Sequence, residues 1–466
     1  MTVISQVAKL VIQIGSTAIL ARLLMPADFG LVAMVAAITG LLGTFGDLGL
    51  SSATIQRAEI THEQVSTLFW INIGVSLLIA VVVAALAPAI AWFYHEPRLI
   101  WITIASAGGF IFAGLTTQHY ALLTRQMRFG AMALVQTLPG LVSVTVGIGL
   151  AMTGWGYWSL VIMGIVGAMG TALASWIAAG WRPGLPSRGS NIGSMLAFGG
   201  HLTGFNLLNY LTRNGDNVLI GRFLGSGALG IYAKAYGLLM FPVQQINAPI
   251  NGVVLPALSR LQDMPDKYRR YFLRAVEGLA FVGMPIIIFA FADARLVVLT
   301  ILGPRWLGAV EIFQLLAPAA LVGTINSAPA WIFTSLGRTD RQFVWAIIST
   351  PVILIGFLIG LKWGAAGVAA SFSITFSLCF ALFALDACRH SPVRVLDFAK
   401  ALVPPFCVSS GAALITVAGF HSLHLAAVAE LAIEATVFCI VYAALTQAFP
   451  SGRRMRRFIL MRNSRI

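Results

Sequence analysis

The chain has 466 residues, 58% of them hydrophobic and only 10% charged, with a mean hydropathy of +0.88. That composition excludes an ordinary soluble globular domain and makes the lipid bilayer the expected solvent. The net charge of +14 sits largely in the connections between apolar stretches, so it calls for no nucleic acid.

Uncharged stretches such as Val75 to Ala91 and Ala401 to Phe420 are long enough to cross a hydrocarbon core of about 30 Å as helices. Lipid cannot satisfy open strand edges, so an all-α integral membrane protein is expected. The first apolar stretch starts almost at Met1, without a cleavage-type box or basic lead, and reads as a retained span. Hydropathy broken by Gly, Pro and charge predicts about 14 spans: 2–22, 29–51, 66–93, 99–121, 131–153, 156–180, 196–220, 228–256, 272–295, 309–335, 341–361, 364–387, 399–420 and 425–448. They group as one six-helix lobe over 1–190, a second over 191–395, and two extra helices with a basic cytoplasmic tail over 396–466. A cytoplasmic N-terminus places about 21 of the 30 Lys and Arg residues on the inner side. Among them are Arg125, Arg128, Arg182, Arg188, the run from Arg260 to Arg274, and tail residues Arg453, Arg454, Arg456 and Arg457, so both termini are expected in the cytoplasm.

Local signals fill in this outline. Asp28 after Pro26, and Ser226 at the equivalent turn, read as N-caps of spans 2 and 8. The stretch 258–277 alternates apolar and basic residues and is expected along the cytoplasmic interface ahead of span 9. Cys379, Cys388, Cys407 and Cys439 lack metal-site spacing and read as small core residues. His119 and His201 read as hydrogen-bonded core residues rather than metal ligands.

The chain also repeats itself. ARLLMPADFGLVA (21–33) aligns with GRFLGSGALGIYA (221–233) at an offset of 200 residues, keeping Arg, Leu, Gly and Ala. Two further pairs follow in order, Arg128 and Phe129 against Arg341 and Phe343, then Trp155 and Gly156 against Trp363 and Gly364. A repeat unit of six spans, an even number, gives both copies the same orientation, related by an axis along the membrane normal.

Polar residues follow the same offset. Gln6, Lys9, Gln13, Ser16 and Thr17 share one face of span 1, and Asn206, Asn209, Arg213, Asp216 and Asn217 share one face of span 7. Span 2 carries Thr44, Asp47 and Ser51, while span 8 carries Gln244, Asn247 and Asn251. Spans 1, 2, 7 and 8 are therefore expected to share a polar chamber, with Lys234 a further member. Neutral residues of this kind also tie helices together without binding anything. Charges inside spans cost several kcal/mol and point to function or pairing. Arg213 and Asp216, three apart, fit either ligand binding or mutual pairing, Asp47 could cap a turn or pair with Arg57, and Arg22 and Arg222 can reach the outer interface.

Six segments in order, ARLLMPADFGLVAM (21–34), GDLGLSSATIQR (46–57), STLFWIN (66–72), RNGDNVLIGRFLG (213–225), YAKAYGLLMFPVQ (232–244) and LPALSRLQD (255–263), resemble the polysaccharide transporters of the multidrug, oligosaccharidyl-lipid and polysaccharide exporter superfamily, especially the colanic-acid-exporter-like branch. One departure is the start, since relatives carry a longer basic lead before span 1, which points to a truncated or misassigned N-terminus. The resemblance implies a flippase of the bacterial inner membrane, working by alternating access on a polyprenyl-pyrophosphate-linked oligosaccharide. It implies Lys9, Arg213, Lys234, Arg22 and Arg222 as substrate-binding cations and Asp47 or Asp216 as an ion-coupling carboxylate. Its partners would be that lipid-linked substrate, membrane lipid and other polysaccharide assembly proteins, with no cofactor. Alternatives are a drug and cation antiporter of the same superfamily, which predicts an acidic chamber, an uncoupled scramblase, and a polytopic polymerase or ligase. No DxD-type pair or GxxxxGKS phosphate loop occurs, which argues against glycosyl transfer and direct use of ATP.

Overall fold

The computed structural model describes residues 2–47, 49–57, 59–186, 193–420 and 426–448, and the side chains of these apart from 2–11, 53, 56, 193–209, 420 and 448. Among the described residues every regular element is a helix: α1 (Thr2–Leu23), α2 (Pro26–Gly43), α3 (Leu50–Gln56), α4 (His62–Tyr94), α5 (Leu99–Arg125), α6 (Phe129–Met152), α7 (Tyr157–Ala179), α8 (Gly193–Ser259), α9 (Pro265–Ala292), α10 (Ala294–Leu302), α11 (Ala309–Gly323), α12 (Ser327–Ser335), α13 (Thr339–Gly360), α14 (Gly364–Arg389), α15 (Val395–Phe420) and α16 (Ala427–Ala448). Eleven stretches are long and apolar enough to cross a membrane. Two of them, Tyr210–Ser259 and Thr339–Arg389, each contain two passes, because α8 breaks at Gly225 (φ 84°) and α13 meets α14 through the short turn Leu361–Trp363 before Gly364 (φ 69°). With the shorter apolar helix Ile12–Leu23, the passes among the described residues number fourteen, as expected. The protein is thus an all-α, multi-pass membrane protein.

Several boundaries differ from expectation. Span 2 ends at Gly43 rather than near 51, and a second helix, α3, begins at Leu50. Gly43, Gly46 and Gly49 (φ 68°) weaken the helix there, and Asp47 caps the new start, accepting the Ser51 backbone N–H at 2.9 Å and the Ser51 hydroxyl. Asp28 lies three residues inside the start of α2, where its carboxylate accepts the Met25 N–H at 2.9 Å. Gly225 makes the turn within α8, and the second of its two helices begins beside Ser226, at the place expected. The latter half of 258–277 does not form a distinct interfacial segment, since α9 runs unbroken from Pro265 into the span with Tyr268, Phe272 and Val276 buried along one face.

The chain forms two compact units, residues 1–231 and 232–466. In the first, α4 packs on α5, α5 on α7 and α6 on α7. Its contacts are close. An added Cβ on Gly114 of α5 would lie 2.6 Å from the Ser76 Oγ and 3.2 Å from the Asn72 carbonyl of α4. The second unit has an apolar centre in which Tyr268, Phe272, Trp331, Phe333 and Phe398 interlock, from α9, α12 and α15. Cys379 and Cys388 are buried as expected, but Cys407 and Cys439 are exposed on apolar helix faces, where a small apolar residue tolerates lipid as readily as a core.

Candidate functional site: the repeat crossing and the charged residues of the spans

The first unit holds both copies of the repeated motif up to Ile231, and they meet reciprocally. A Cβ on Gly30 would collide with the backbone carbonyl of Ser226, and one on Gly230 with the carbonyl of Pro26. Under the offset of 200, Gly30 matches Gly230 and Pro26 matches position 226, so each contact is the symmetry mate of the other. This is the contact expected at a two-fold axis, and only glycine lets the two backbones approach so closely. About two turns further along α2, the Tyr210 hydroxyl lies within reach of the Ala36 and Ala37 carbonyls, at 2.9 and 3.1 Å, and against Gly40.

Charged candidates surround these contacts in sequence. Arg22 occupies the last turn of α1 and is exposed. Arg222 is half-buried, with its guanidinium 5.7 Å from the ring centres of both Phe93 and Phe223. Such placement keeps a planar cation at an apolar boundary with its N–H edge free to meet an anion. Arg213 is exposed, Asp216 is 3% exposed, and no ion pair joins them among the described residues. The Asp216 carboxylate instead accepts the Asn217 N–H at 2.7 Å. Asp47 spends both carboxylate oxygens on Ser51 and so realises the capping alternative. The side chains of Gln6, Lys9, His201, Asn206 and Asn209 lie outside those described.

In the second unit, Lys234 is half-buried on α8 and follows the buried Tyr232 by two residues. Of the three polar residues expected on this part of α8, Gln244 is exposed. Asn247 donates to the Gly323 carbonyl at 3.1 Å, and Asn251 accepts the Trp331 indole N–H at 2.7 Å. These two asparagines fasten α8 to the α11–α12 region, which is the helix-tying role rather than a chamber lining.

His119 is the hydrogen-bonded core residue expected, but the group it belongs to was not foreseen. His119 is fully buried, its two ring nitrogens lie 3.1 and 3.2 Å from the Leu115 and Trp181 carbonyls, and its ring stacks on Trp176 at 4.4 Å. The Trp181 indole N–H donates to His62, and Gly184 hydrogen-bonds both Ser66 and Trp70. This knot fixes residues 181–184 onto α4 and α5. The clustering of Trp176, Trp181 and His119 was visible in the sequence only as separate residues.

These features define a class: a multi-pass, helical membrane protein with an internally repeated motif whose two copies meet. Its fold is similar to that of the lipid II flippase MurJ in an inward closed conformation, with a TM-score of 0.77 at 14% identity over 96% of this chain and 98% of that one. It is also similar to an inward-facing multidrug resistance MATE family transporter of the MOP superfamily, with a TM-score of 0.66 at 13% identity over 81% and 93% of the two chains. A family model described as polysaccharide biosynthesis protein matches residues 19–311, and the chain belongs to that family. Similar proteins include the lipopolysaccharide biosynthesis protein WzxC of Escherichia coli (strain K12), 26% identical over 360 residues covering 75% of this chain and 72% of that protein. The teichuronic acid biosynthesis protein TuaB of Bacillus subtilis (strain 168) is 28% identical over 64% of this chain and 62% of its own length. The succinoglycan biosynthesis transport protein ExoT of Rhizobium meliloti (strain 1021) is 24% identical over 74% and 70%.

Proposed function

We propose that the chain is a flippase that carries a polyprenyl-pyrophosphate-linked polysaccharide repeat unit across the bacterial inner membrane by alternating access. The observation that supports this most is the coincidence of family membership over residues 19–311 with a flippase-like fold over 96% of the chain. Physics supplies the reason for such a protein. A sugar and pyrophosphate head cannot cross hydrocarbon, while its polyprenyl tail can stay in the bilayer as the head passes through a polar cavity. Arg213 and Arg222 would meet the pyrophosphate, with Lys9, Arg22 and Lys234 as further cations and Asp216 as the better placed of the two ion-coupling carboxylates, since Asp47 is engaged as a cap. Arginine suits this role because its fork presents paired donors to phosphate oxygens. Six-helix lobes over 1–190 and 191–395, with two extra helices over 396–466, would supply the moving parts.

Both termini would face the cytoplasm. Reporter fusions after Arg128, Arg188 and Arg341 are then expected inside, and those near Trp155, Ser226 and Lys362 outside. Deleting the gene is expected to abolish a surface or secreted polysaccharide and to leave its lipid-linked unit on the cytoplasmic leaflet. Normal polysaccharide in the deletion strain, or glycosyl transfer by the purified chain, would overturn the proposal and favour an enzyme.

A further inference from the structure

Between α4 and α5 of the first unit lies a buried polar site away from the charged residues above. Asn72 of α4 is 0% exposed, and neither its amide oxygen nor its amide nitrogen has a hydrogen-bond partner. Gln118 of α5 is also 0% exposed; its Oε1 accepts the Thr54 hydroxyl at 2.9 Å, while its Nε2 is unpartnered. The two residues belong to one locality. Gly114, one helical turn before Gln118, places its missing Cβ 3.2 Å from the Asn72 carbonyl and 2.6 Å from the Ser76 Oγ. A turn of helix rises about 5.4 Å, so on antiparallel neighbours Asn72 stands between the levels of Gly114 and Gln118.

Three orphan amide groups in a fully buried place would cost about 1–3 kcal/mol each. Native proteins leave few buried polar groups unpaired, and three so close together call for a ligand that pairs them. The chemistry of the donors and acceptors says which ligand. As placed, the site offers one acceptor, Asn72 Oδ1, and two donors, Asn72 Nδ2 and Gln118 Nε2. The Thr54 hydroxyl has a single hydrogen, yet it lies within reach of both Gln118 Oε1 and the Leu50 carbonyl, at 2.9 and 3.1 Å. Turning the Gln118 amide over resolves that conflict: Nε2 donates to Thr54, Thr54 donates to Leu50, and Gln118 Oε1 becomes the orphan. Water, which donates twice and accepts twice, satisfies either arrangement. A monovalent cation would satisfy only the oxygens and leave the Asn72 N–H groups facing it.

We propose that Asn72 and Gln118, supported by Thr54, form a buried water-binding site that joins α4 and α5 inside the first unit. The water replaces the direct contact that the two amides do not make, and Gly114 keeps the helices close enough to hold it.

Radiolytic hydroxyl-radical labelling of the full chain in lipid nanodiscs tests this, because radicals born from a bound water mark adjacent side chains that bulk solvent never reaches. Leu68 and Phe69, one turn from Asn72 and at most 1% exposed, are expected to be labelled above the equally buried Val83 and Leu99. The double variant Asn72→Leu/Gln118→Leu is expected to lose that labelling. Thermal midpoints supply the second arm: Asn72→Leu alone is expected to fall below wild type by stranding Gln118, and the double variant to recover. Background labelling of Leu68 and Phe69 in the wild type, or labelling unchanged in the double variant, would overturn the proposal. So would a wild-type midpoint that rises when sodium replaces choline and does so only with Asn72 and Gln118 intact, since the ligand would then be a cation.

Discussion

The two units bury polar groups of different kinds, and the difference sets how each is held together. Among the described residues of the second unit, the buried polar residues are hydroxyls apart from Glu434: Thr300, Thr324, Ser335, Thr350, Ser373, Ser409 and Thr416. Hydroxyls can satisfy themselves on their own helix, as Ser409 does on Pro405 at 2.6 Å and Thr416 on Ala412 at 2.9 Å. Contact between helices in this unit combines aromatic packing with hydroxyl and half-buried amide bonds, such as Ser373 on the Leu315 carbonyl, Tyr268 with Ser335, and Asn247 on the Gly323 carbonyl. The first unit buries Asn72, Gln118, His119 and Asp216 as well. Amides and imidazoles reach beyond their own turn, so they tie helices to one another and commit the unit to defined partners.

The largest expected effect lies at the glycine crossing. Gly30→Ala or Gly230→Ala drives a methyl into a backbone carbonyl, which cannot move aside as a side chain can, and little folded protein should remain in the membrane fraction. Gly140→Ala, with nothing within 4 Å, is the matched control and should accumulate normally. Near-normal accumulation of both crossing variants would break the claim that the motif copies meet through their glycines.

The next effect belongs to the second unit. Phe272→Ala leaves a hole among Trp331 and Phe398 and should lower stability by about 3 kcal/mol, the low end for such a change because lipid-facing states also solvate the ring. His119→Leu should cost about 1–3 kcal/mol in the first unit by freeing residues 181–184, seen as faster proteolysis or hydrogen exchange there. Thr416→Val in the second unit should change stability by less than about 1 kcal/mol. If Thr416→Val were as damaging as His119→Leu, the contrast between the units would fail.

The smallest effect is electrostatic. Between α4 and α5, Arg98 donates to both oxygens of Glu96 at 2.8 Å, and these hydrogen bonds hold the Glu96 carboxyl below its ordinary 4.5. A lowered carboxyl contributes stability above its ordinary value and loses it as pH falls through the lowered one. The Arg98 side chain is 50% exposed, so Arg98→Ala should cost at most about 1 kcal/mol near neutral pH and nothing in strong acid. Melting curves across pH check both statements.

Much of this was legible in the sequence. Span number followed from hydropathy because lipid leaves helices no alternative, and the crossing was foreshadowed by Gly30 and Gly230 recurring at the same place in both copies. Packing decided the rest. Asn247 and Asn251 looked like chamber residues because periodicity reports a face and not what stands opposite it; Gly323 and Trp331 stand there. Arg213 and Asp216 looked like a pair at a spacing of three, yet one is exposed and the other buried. The buried role of His119 was legible, but its partners were not, because they come from α4, α7 and the segment after α7, far apart in the chain.

The central claim is that cations in the spans carry a pyrophosphate head group across the membrane. It is tested most directly by reconstituting the purified chain in vesicles and measuring translocation of a polyprenyl-pyrophosphate-linked saccharide, for wild type and Arg213→Gln at equal amounts of folded protein. The account predicts protein-dependent translocation that Arg213→Gln slows about tenfold or more, the loss of one charge-assisted hydrogen bond of about 1.5–3 kcal/mol. Translocation by the wild type that Arg213→Gln, Arg222→Gln and Lys234→Gln all leave at full rate would contradict it.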